Sequence, residues 1–355
     1  MPLVQHSSLP TFAWLRERGD PVIDRGEASR HGARELHVGL LNMMPDAALV
    51  VTERQFLHLV GHSNVDALFH VHPFSVPGLG RSAETQAHID AHYSSFEDLK
   101  RQGLDALIIT GANVANPSLD QEAFWDPLRE IIAWASQNTA SVLCSCLATH
   151  AIVKALYGIE RTPLPRKCWG VYRHRLACAH PLLKDVNTRF DVPHSRHNQI
   201  TREQLEAKGL KVLVESKEAG VHVAVSPDQF RLVFFQAHPE YDANSLLKEY
   251  KREVHRFVGG ARLDYPPHPE HYFSPDAAVV ADAYRERVLG AHREGTAPPA
   301  FPELELESNL DNTWRDSAKA VFNNWIRLVH KTTSPERRQP FGEGIDPNDP
   351  LGLGG

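Results

Sequence analysis

The sequence predicts an α/β protein built on a mostly parallel sheet with helices on both faces. Three observations carry that expectation. Short, almost wholly apolar runs such as Leu36–Leu41 (LHVGLL) and Asp105–Thr110 (DALIIT) suit strands covered on both faces. Segments of helical period alternate with them through short connections. The run SVLCSC then passes straight into LATHAIVKALYG without a loop, as a strand feeding a helix would.

The elements follow in order. Residues 1–35 read as a polar, irregular extension with one short helix near Phe12–Glu17. After the strand at Leu36, a helix begins near Thr52 and carries Phe56, Leu57 and Val60 inward. Asp66–His72 is a strand, Phe96–Lys100 a short helix, and Asp105–Thr110 a strand ending in Gly111-Ala112-Asn113. Phe124–Ser136 is an amphipathic helix, Ser141–Cys146 a strand, and the next helix stops at Gly158, a residue suited to a C-cap. Val212–Glu215, Val221–Ser226 and Arg231–Gln236 make a more β-rich second half, closed by a helix over Asn244–Val258. This places an α/β catalytic domain at 36–260. Residues 261–333 form a C-terminal segment whose amphipathic helix Trp314–Val329 docks on the core, and the Gly/Pro-rich 334–355 reads as a disordered tail.

Composition narrows the function. The 355 residues are 42% hydrophobic and 23% charged, enough for a large core. A net charge of −6 argues against a nucleic-acid binder, which usually carries a basic face. No run approaches the roughly 18 apolar residues of a membrane span, and the first twenty residues lack the apolar stretch of a secretory signal. A cytoplasmic protein is expected. Four cysteines are too few for a disulfide framework. Cys178 and His180 match no standard zinc spacing, so no metal site is expected.

Two places carry chemistry. Cys146 falls at the strand-to-helix junction, where the amides of Leu147 and Ala148 are helix N-terminal donors without partners. Such a position activates a thiol and supplies an oxyanion hole together. Cys144, two residues earlier, suits a buried core thiol. His238-Pro239-Glu240 follows a strand, and a histidine with a carboxylate two residues on fits a base and its orienting partner. A Cys/His/Glu set points to nucleophilic acyl chemistry on an amide, ester or thioester.

The strings LNMMPDAALVVTERQFL, TGANVA, WGVYRH, PHSRHNQI, QAHPEYDANSL and NTWRDSAKAVFNNW occur in that order from about Leu36 to Thr332. Together they resemble the homoserine O-acyltransferase (succinyltransferase) family. The resemblance implies a fold like that of class I glutamine amidotransferases, flavodoxin-like and bearing a cysteine elbow. It implies Cys146 as the acyl-thioester nucleophile, His238 as base, Glu240 as its orienter and the Leu147 amide in the oxyanion hole. Lys167, Ser195 and Arg252 match substrate-binding positions, Arg252 suiting the carboxylate of homoserine. Ala115 matches the acyl-CoA specificity position, where a small residue accompanies succinyl-CoA and a glutamate acetyl-CoA. The implied substrates are succinyl-CoA and L-homoserine, with no cofactor, and the implied assembly is a homodimer.

Some departures from the family pattern stand out. DAALVV replaces a shorter, lysine-bearing link, leaving Arg54 or Arg166 as the candidate replacement cations. Leu147 and His150 stand where the family usually has Trp and Gln, and residues of about 274–303 read as an insertion. Acetyl-CoA as donor, serine as acceptor, a glutamine-hydrolysing amidotransferase and a non-catalytic binding protein are the alternative readings.

Overall fold

A twisted sheet of eleven strands organises the computed structural model, which describes residues 2–354. The strands are β1 (Leu3–Gln5), β2 (Val22–Asp24), β3 (Arg34–Leu41), β4 (Ala67–Phe74), β5 (Ala106–Ile109), β6 (Ser141–Ser145), β7 (Thr162–Leu176), β8 (Arg189–Gln199), β9 (Lys211–Ser216), β10 (Gly220–Val225) and β11 (Leu232–Phe235). The helices are α1 (Pro10–Glu17), α2 (Arg25–His31), α3 (Asp46–Gly61), α4 (Ala83–His92), α5 (Phe96–Gln102), α6 (Trp125–Asn138), α7 (Leu147–Tyr157), α8 (Arg202–Glu206), α9 (Ser245–Val258), α10 (Pro275–Glu294), α11 (Glu303–Glu307) and α12 (Arg315–Thr332).

Strand order is β2-β1-β4-β3-β5-β6-β11-β10-β9-β7-β8. The pairings from β2 to β11 are parallel, and β10, β9, β7 and β8 extend the sheet antiparallel. The central strands β3, β5, β6 and β11 are buried almost throughout, which explains their unbroken apolar sequences. One face is covered by α1, α3 and α12, through Phe12, Phe56, Phe322 and Trp325. The other is covered by α6 and α7, through Leu128, Ile132, Ala148 and Ile152. A third apolar cluster joins α9, α10 and Trp314 to Trp169 and Val171 of β7.

Several expectations need correction. The N-terminal extension is not irregular: β1 and β2 add two parallel strands to the sheet edge, and Leu3 and Phe12 enter the core. Strands of three residues carry too little pattern to be read from sequence. The segments 162–176 and 189–199 were not expected as strands, yet β7 and β8 make a long antiparallel pair. Their Arg, His and Pro content hides the alternation. Helix α4 was also unforeseen, because none of its residues is buried and it shows no apolar stripe.

The expected disordered tail has a defined course against the core. Arg34 donates to the carbonyls of His330, Thr333 and Ser334, Arg337 reaches His37, and Arg231 lies over the ring of Phe341. These contacts are polar and long-range, so composition does not reveal them. Beside β7, Glu270 approaches so closely that a Cβ at Gly170 would stand 2.1 Å from the Glu270 carbonyl oxygen. Gly170, at φ +151, admits that contact. In α12, Trp325 is fully buried and its Nε1 donates to Ser141 Oγ at 2.9 Å. Trp314 is buried as well, so neither tryptophan is available to an interface between copies.

The core also encloses neutral histidines. Burial pushes His150 down to about 3 and His174 and His180 down to about 4. Between these values and the ordinary 6.5 the unfolded chain binds more protons, so stability drops as the pH is lowered through that window. Each group contributes up to about 1.4 kcal/mol per pH unit. Asp105, raised by burial to about 6, acts oppositely, but it is one group against three. Urea unfolding is expected to lose a few kcal/mol of stability between pH 7 and pH 5; equal stability at both values would contradict the buried-histidine account.

Candidate active site

The site is assembled at the carboxyl end of the parallel strands. Strand β6 ends at Ser145, and Cys146 makes the turn into α7 at φ +52, ψ −112. An L-residue rarely adopts that conformation; here β5 and β11 grip β6 on either side and impose it. The Cys146 amide donates to Phe235 of β11 at 2.8 Å, which ties the turn to the strand preceding His238. Cys146 remains partly exposed, whereas Cys144 is fully buried in the sheet and burial drives its thiol pKa upward.

His238 lies 5% exposed beyond the end of β11, its amide bound to the Pro193 carbonyl of β8 at 2.9 Å. Its Nδ1 pairs with Glu240 Oε1 at 2.8 Å, which leaves Nε2 for the thiol of Cys146. Burial disfavours a charged imidazole, but Cys146 and Glu240 outweigh it and hold His238 well above the ordinary histidine range. His238 is therefore held as imidazolium beside the Cys146 sulfur. Ser145 Oγ adds a long contact to Glu240 at 3.4 Å.

The Leu147 amide lies in the first turn of α7, where it has no intrahelical acceptor. A Cβ at Gly111 would stand 3.7 Å from that amide and 3.8 Å from Cys146 Cβ. The start of the loop after β5 thus lies directly beside the amide and the cysteine. Ala115, further along the same loop, is exposed; its amide and that of Asn116 donate to Glu122 Oε1 at 2.8 and 2.6 Å.

Lys167 of β7 and Ser195 of β8 meet on one carboxylate, Glu249 of α9. Ser195 Oγ donates to Glu249 Oε2 at 2.6 Å and Lys167 Nζ lies 3.1 Å from it. Tyr241 donates to the other oxygen at 2.9 Å, and its ring stacks on His238 with centroids 4.3 Å apart. Burial raises the Glu249 pKa, but Lys167, Ser195 and Tyr241 more than offset it and keep the carboxylate ionised. Arg252 lies one turn along α9 with its side chain 61% exposed, 3.8 Å from Glu253. It adjoins Glu249 but is not drawn into the contacts around Cys146.

Sequence reasoning missed Glu249 and Tyr241. Tyr241 sits inside HPEYD, but Glu249 is an unremarkable acid on a polar helix, and only the fold sets it beside Lys167. It also missed Arg196, the last residue of PHSR, which is 5% exposed and electrostatically coupled to Cys146. The proposed replacement cations fare differently. Arg166 is exposed and pairs with Glu270 at 2.7 Å, while Arg54 lies over the Trp14 ring. His150 is bound to Gln236 Oε1 at 3.1 Å inside the core, so it serves packing and not proton transfer. Away from the site, Asp20, His58 and His62, and Glu35, His37 and His70, form two clusters of metal-ligand type that cysteine spacing did not anticipate.

A cysteine on a strand-to-helix turn, with a buried His–Glu pair and an open helix-terminal amide, is an arrangement suited to an α/β enzyme that works through a thiol. The comparisons give the particular family. The family model "Homoserine O-succinyltransferase" matches residues 2–335. A homoserine O-succinyltransferase of Methylococcus capsulatus is 57% identical over 354 residues, covering 99% of this chain and all of the relative. One of Methylobacter tundripaludum is 58% identical with the same coverage. Among solved structures, a glutamine amidotransferase of Thermotoga maritima aligns with a TM-score of 0.44 and 11% identity, over 84% of this chain and 99% of its own. The chain belongs to the homoserine O-succinyltransferase family.

The geometry predicts selective thiol labelling. Iodoacetamide at neutral pH should modify Cys146 before Cys144, read by peptide mass spectrometry. Equal labelling of both would contradict the burial difference between them.

Proposed function

We propose that this enzyme transfers a succinyl group from succinyl-CoA to the hydroxyl of L-homoserine, in the cytoplasm, as a step of methionine biosynthesis. The observation that carries the reading is the partly exposed Cys146 set against the buried His238–Glu240 pair, in a chain matched to this family over almost its whole length.

The chemistry runs in two halves. The Cys146 thiolate attacks the thioester carbonyl, and the Leu147 amide receives the developing oxyanion. Coenzyme A leaves as a thiol with a proton from His238, and the acyl group stays on Cys146. This first exchange trades one thioester for another and conserves the activation. The acceptor hydroxyl then gives its proton to His238 and attacks the acyl-cysteine. The product is an oxygen ester, less activated than a thioester, so the second half runs downhill. General base assistance and one oxyanion donor are each worth on the order of 10²–10³ in rate. Coenzyme A enters only as part of a substrate.

On the acceptor side, Glu249 and Arg252 stand one turn apart on α9 with opposite charges. That spacing suits the ammonium and carboxylate of one amino acid, with Lys167 and Ser195 fixing the Glu249 carboxylate. On the donor side, a small residue at Ala115 leaves room for a longer acyl chain.

Coenzyme A release should be fast with succinyl-CoA and homoserine and slow when acetyl-CoA or serine replaces either. Cys146→Ser should abolish release and Cys144→Ser should leave most of it; equal loss would mean that the thiol is wrongly assigned. Glu249→Gln should raise KM for homoserine by about tenfold or more, while a pre-steady-state burst of coenzyme A persists. An unchanged KM would remove Glu249 from the acceptor site.

A further inference from the structure

The small residue at Ala115 removes an obstacle from the acyl site but supplies no attraction for the far carboxylate of a succinyl chain. A cation suited to that task lies in an adjoining cavity of about 190 Å³, lined by Met43, Gly78, Arg81, Asn113, Glu122 and Phe124. Three loops form it, those following β3, β4 and β5. In the sheet these strands run in the order β4-β3-β5, and β5 pairs with β6, at whose end Cys146 sits. Cys146 does not line this cavity; the link to it runs through Met44, whose carbonyl accepts from Arg81 and whose sulfur packs beside Gly111. A Cβ at Gly111 would stand 3.6 Å from Met44 Sδ and 3.8 Å from Cys146 Cβ.

The Arg81 side chain is only 4% exposed. Its Nη1 donates to the Met44 carbonyl and lies 3.6 Å from Asp46 Oδ1. Its Nε and Nη2 are buried and have no partner in the protein. These two nitrogens form one edge of the guanidinium fork, the edge that binds both oxygens of a carboxylate. Leaving two charged donors dry and unpaired is costly, and an anion on that edge removes the cost.

The surroundings fit such a ligand. Glu122 lines the same cavity, but its Oε1 already accepts from the Ala115 and Asn116 amides, and Arg161 faces its charge. Asp46 accepts from the Ser82 amide at 2.7 Å and lies on the Nη1 side, away from the free edge. The residue that anchors the specificity loop and the cation with the open fork therefore share one pocket.

We propose that Arg81 binds the terminal carboxylate of the donor's acyl group through Nε and Nη2. It is a specificity-determining residue for a dicarboxylic thioester, acting by attraction where Ala115 acts by leaving space. The proposal rests on the succinyl-donor reading above.

The test compares succinyl-CoA with succinamoyl-CoA, in which a neutral amide replaces the far carboxylate, and with acetyl-CoA. For the wild-type enzyme, kcat/KM should favour succinyl-CoA over succinamoyl-CoA by about 10- to 100-fold. In Arg81→Met that ratio should fall to near one, and the preference over acetyl-CoA should fall by a similar factor. Arg81→Lys, which keeps the charge but loses the fork, should give an intermediate ratio.

A Met variant that loses activity with all donors in the same proportion would overturn the proposal, since Arg81 would then only support the Met44 turn. So would a wild-type enzyme that accepts the amide as well as the acid, a result that needs no variant to fold. A wild-type enzyme that turns over acetyl-CoA but not succinyl-CoA would overturn the donor reading itself, and the proposal with it.

Discussion

The conformation of Cys146 is the constraint on which the rest of the site depends. An L-residue at φ +52 persists only where its surroundings leave no alternative. Here β6 is held between β5 and β11, the Cys146 amide is bound to Phe235, and Thr149 Oγ1 reaches back to the carbonyls of Cys144 and Phe235. The turn presents the sulfur at the head of α7 with the Leu147 amide beside it. A relaxed turn at this point would move the Cys146 sulfur and the Leu147 amide together, so the sheet's central pairings fix the geometry between them.

Charge is arranged in two linked buried groups around that turn. Glu240 holds the ring of His238 by Nδ1, and Tyr241 stacks on the same ring while donating to Glu249. Glu249 in turn gathers Lys167 and Ser195 from the β7–β8 pair. The His238–Glu240 pair and the Glu249 cluster thus meet through a single tyrosine. Trp314 braces the arrangement from the C-terminal segment, donating from Nε1 to the Tyr241 carbonyl at 2.8 Å. That contact gives the C-terminal segment a part in shaping the site as well as in covering hydrophobic surface.

The central elements were legible because their causes are local. LHVGLL and DALIIT announce buried parallel strands, and the missing loop after SVLCSC announces the elbow. The outer sheet was not legible for equally physical reasons. β1 and β2 are three residues each, and their pairing partners lie many residues away. The strands β7 and β8 carry Arg, His and Pro where an alternating pattern would show, because their polar side chains build the cluster around Glu249 and a buried histidine stack. The tail after residue 334 is held by Arg337 against His37, by Arg231 over the Phe341 ring and by Gln229 donating to the Leu353 carbonyl, contacts that no local apolar pattern announces.

By itself, the sequence determined the α/β class, the placing of Cys146 at a strand-to-helix junction and the pairing of His238 with Glu240, since each rests on residues close together in the chain. Tertiary structure alone decided that Lys167 and Ser195 converge on Glu249, that Arg196 lies near the thiol, and that Arg81 has an unpaired edge beside the acyl loop. These groups come from different strands and helices, and their roles depend on distances that no spacing in the chain encodes. The physical reason is burial: a charged side chain acquires a specific task when the fold removes it from water and limits the partners it can reach.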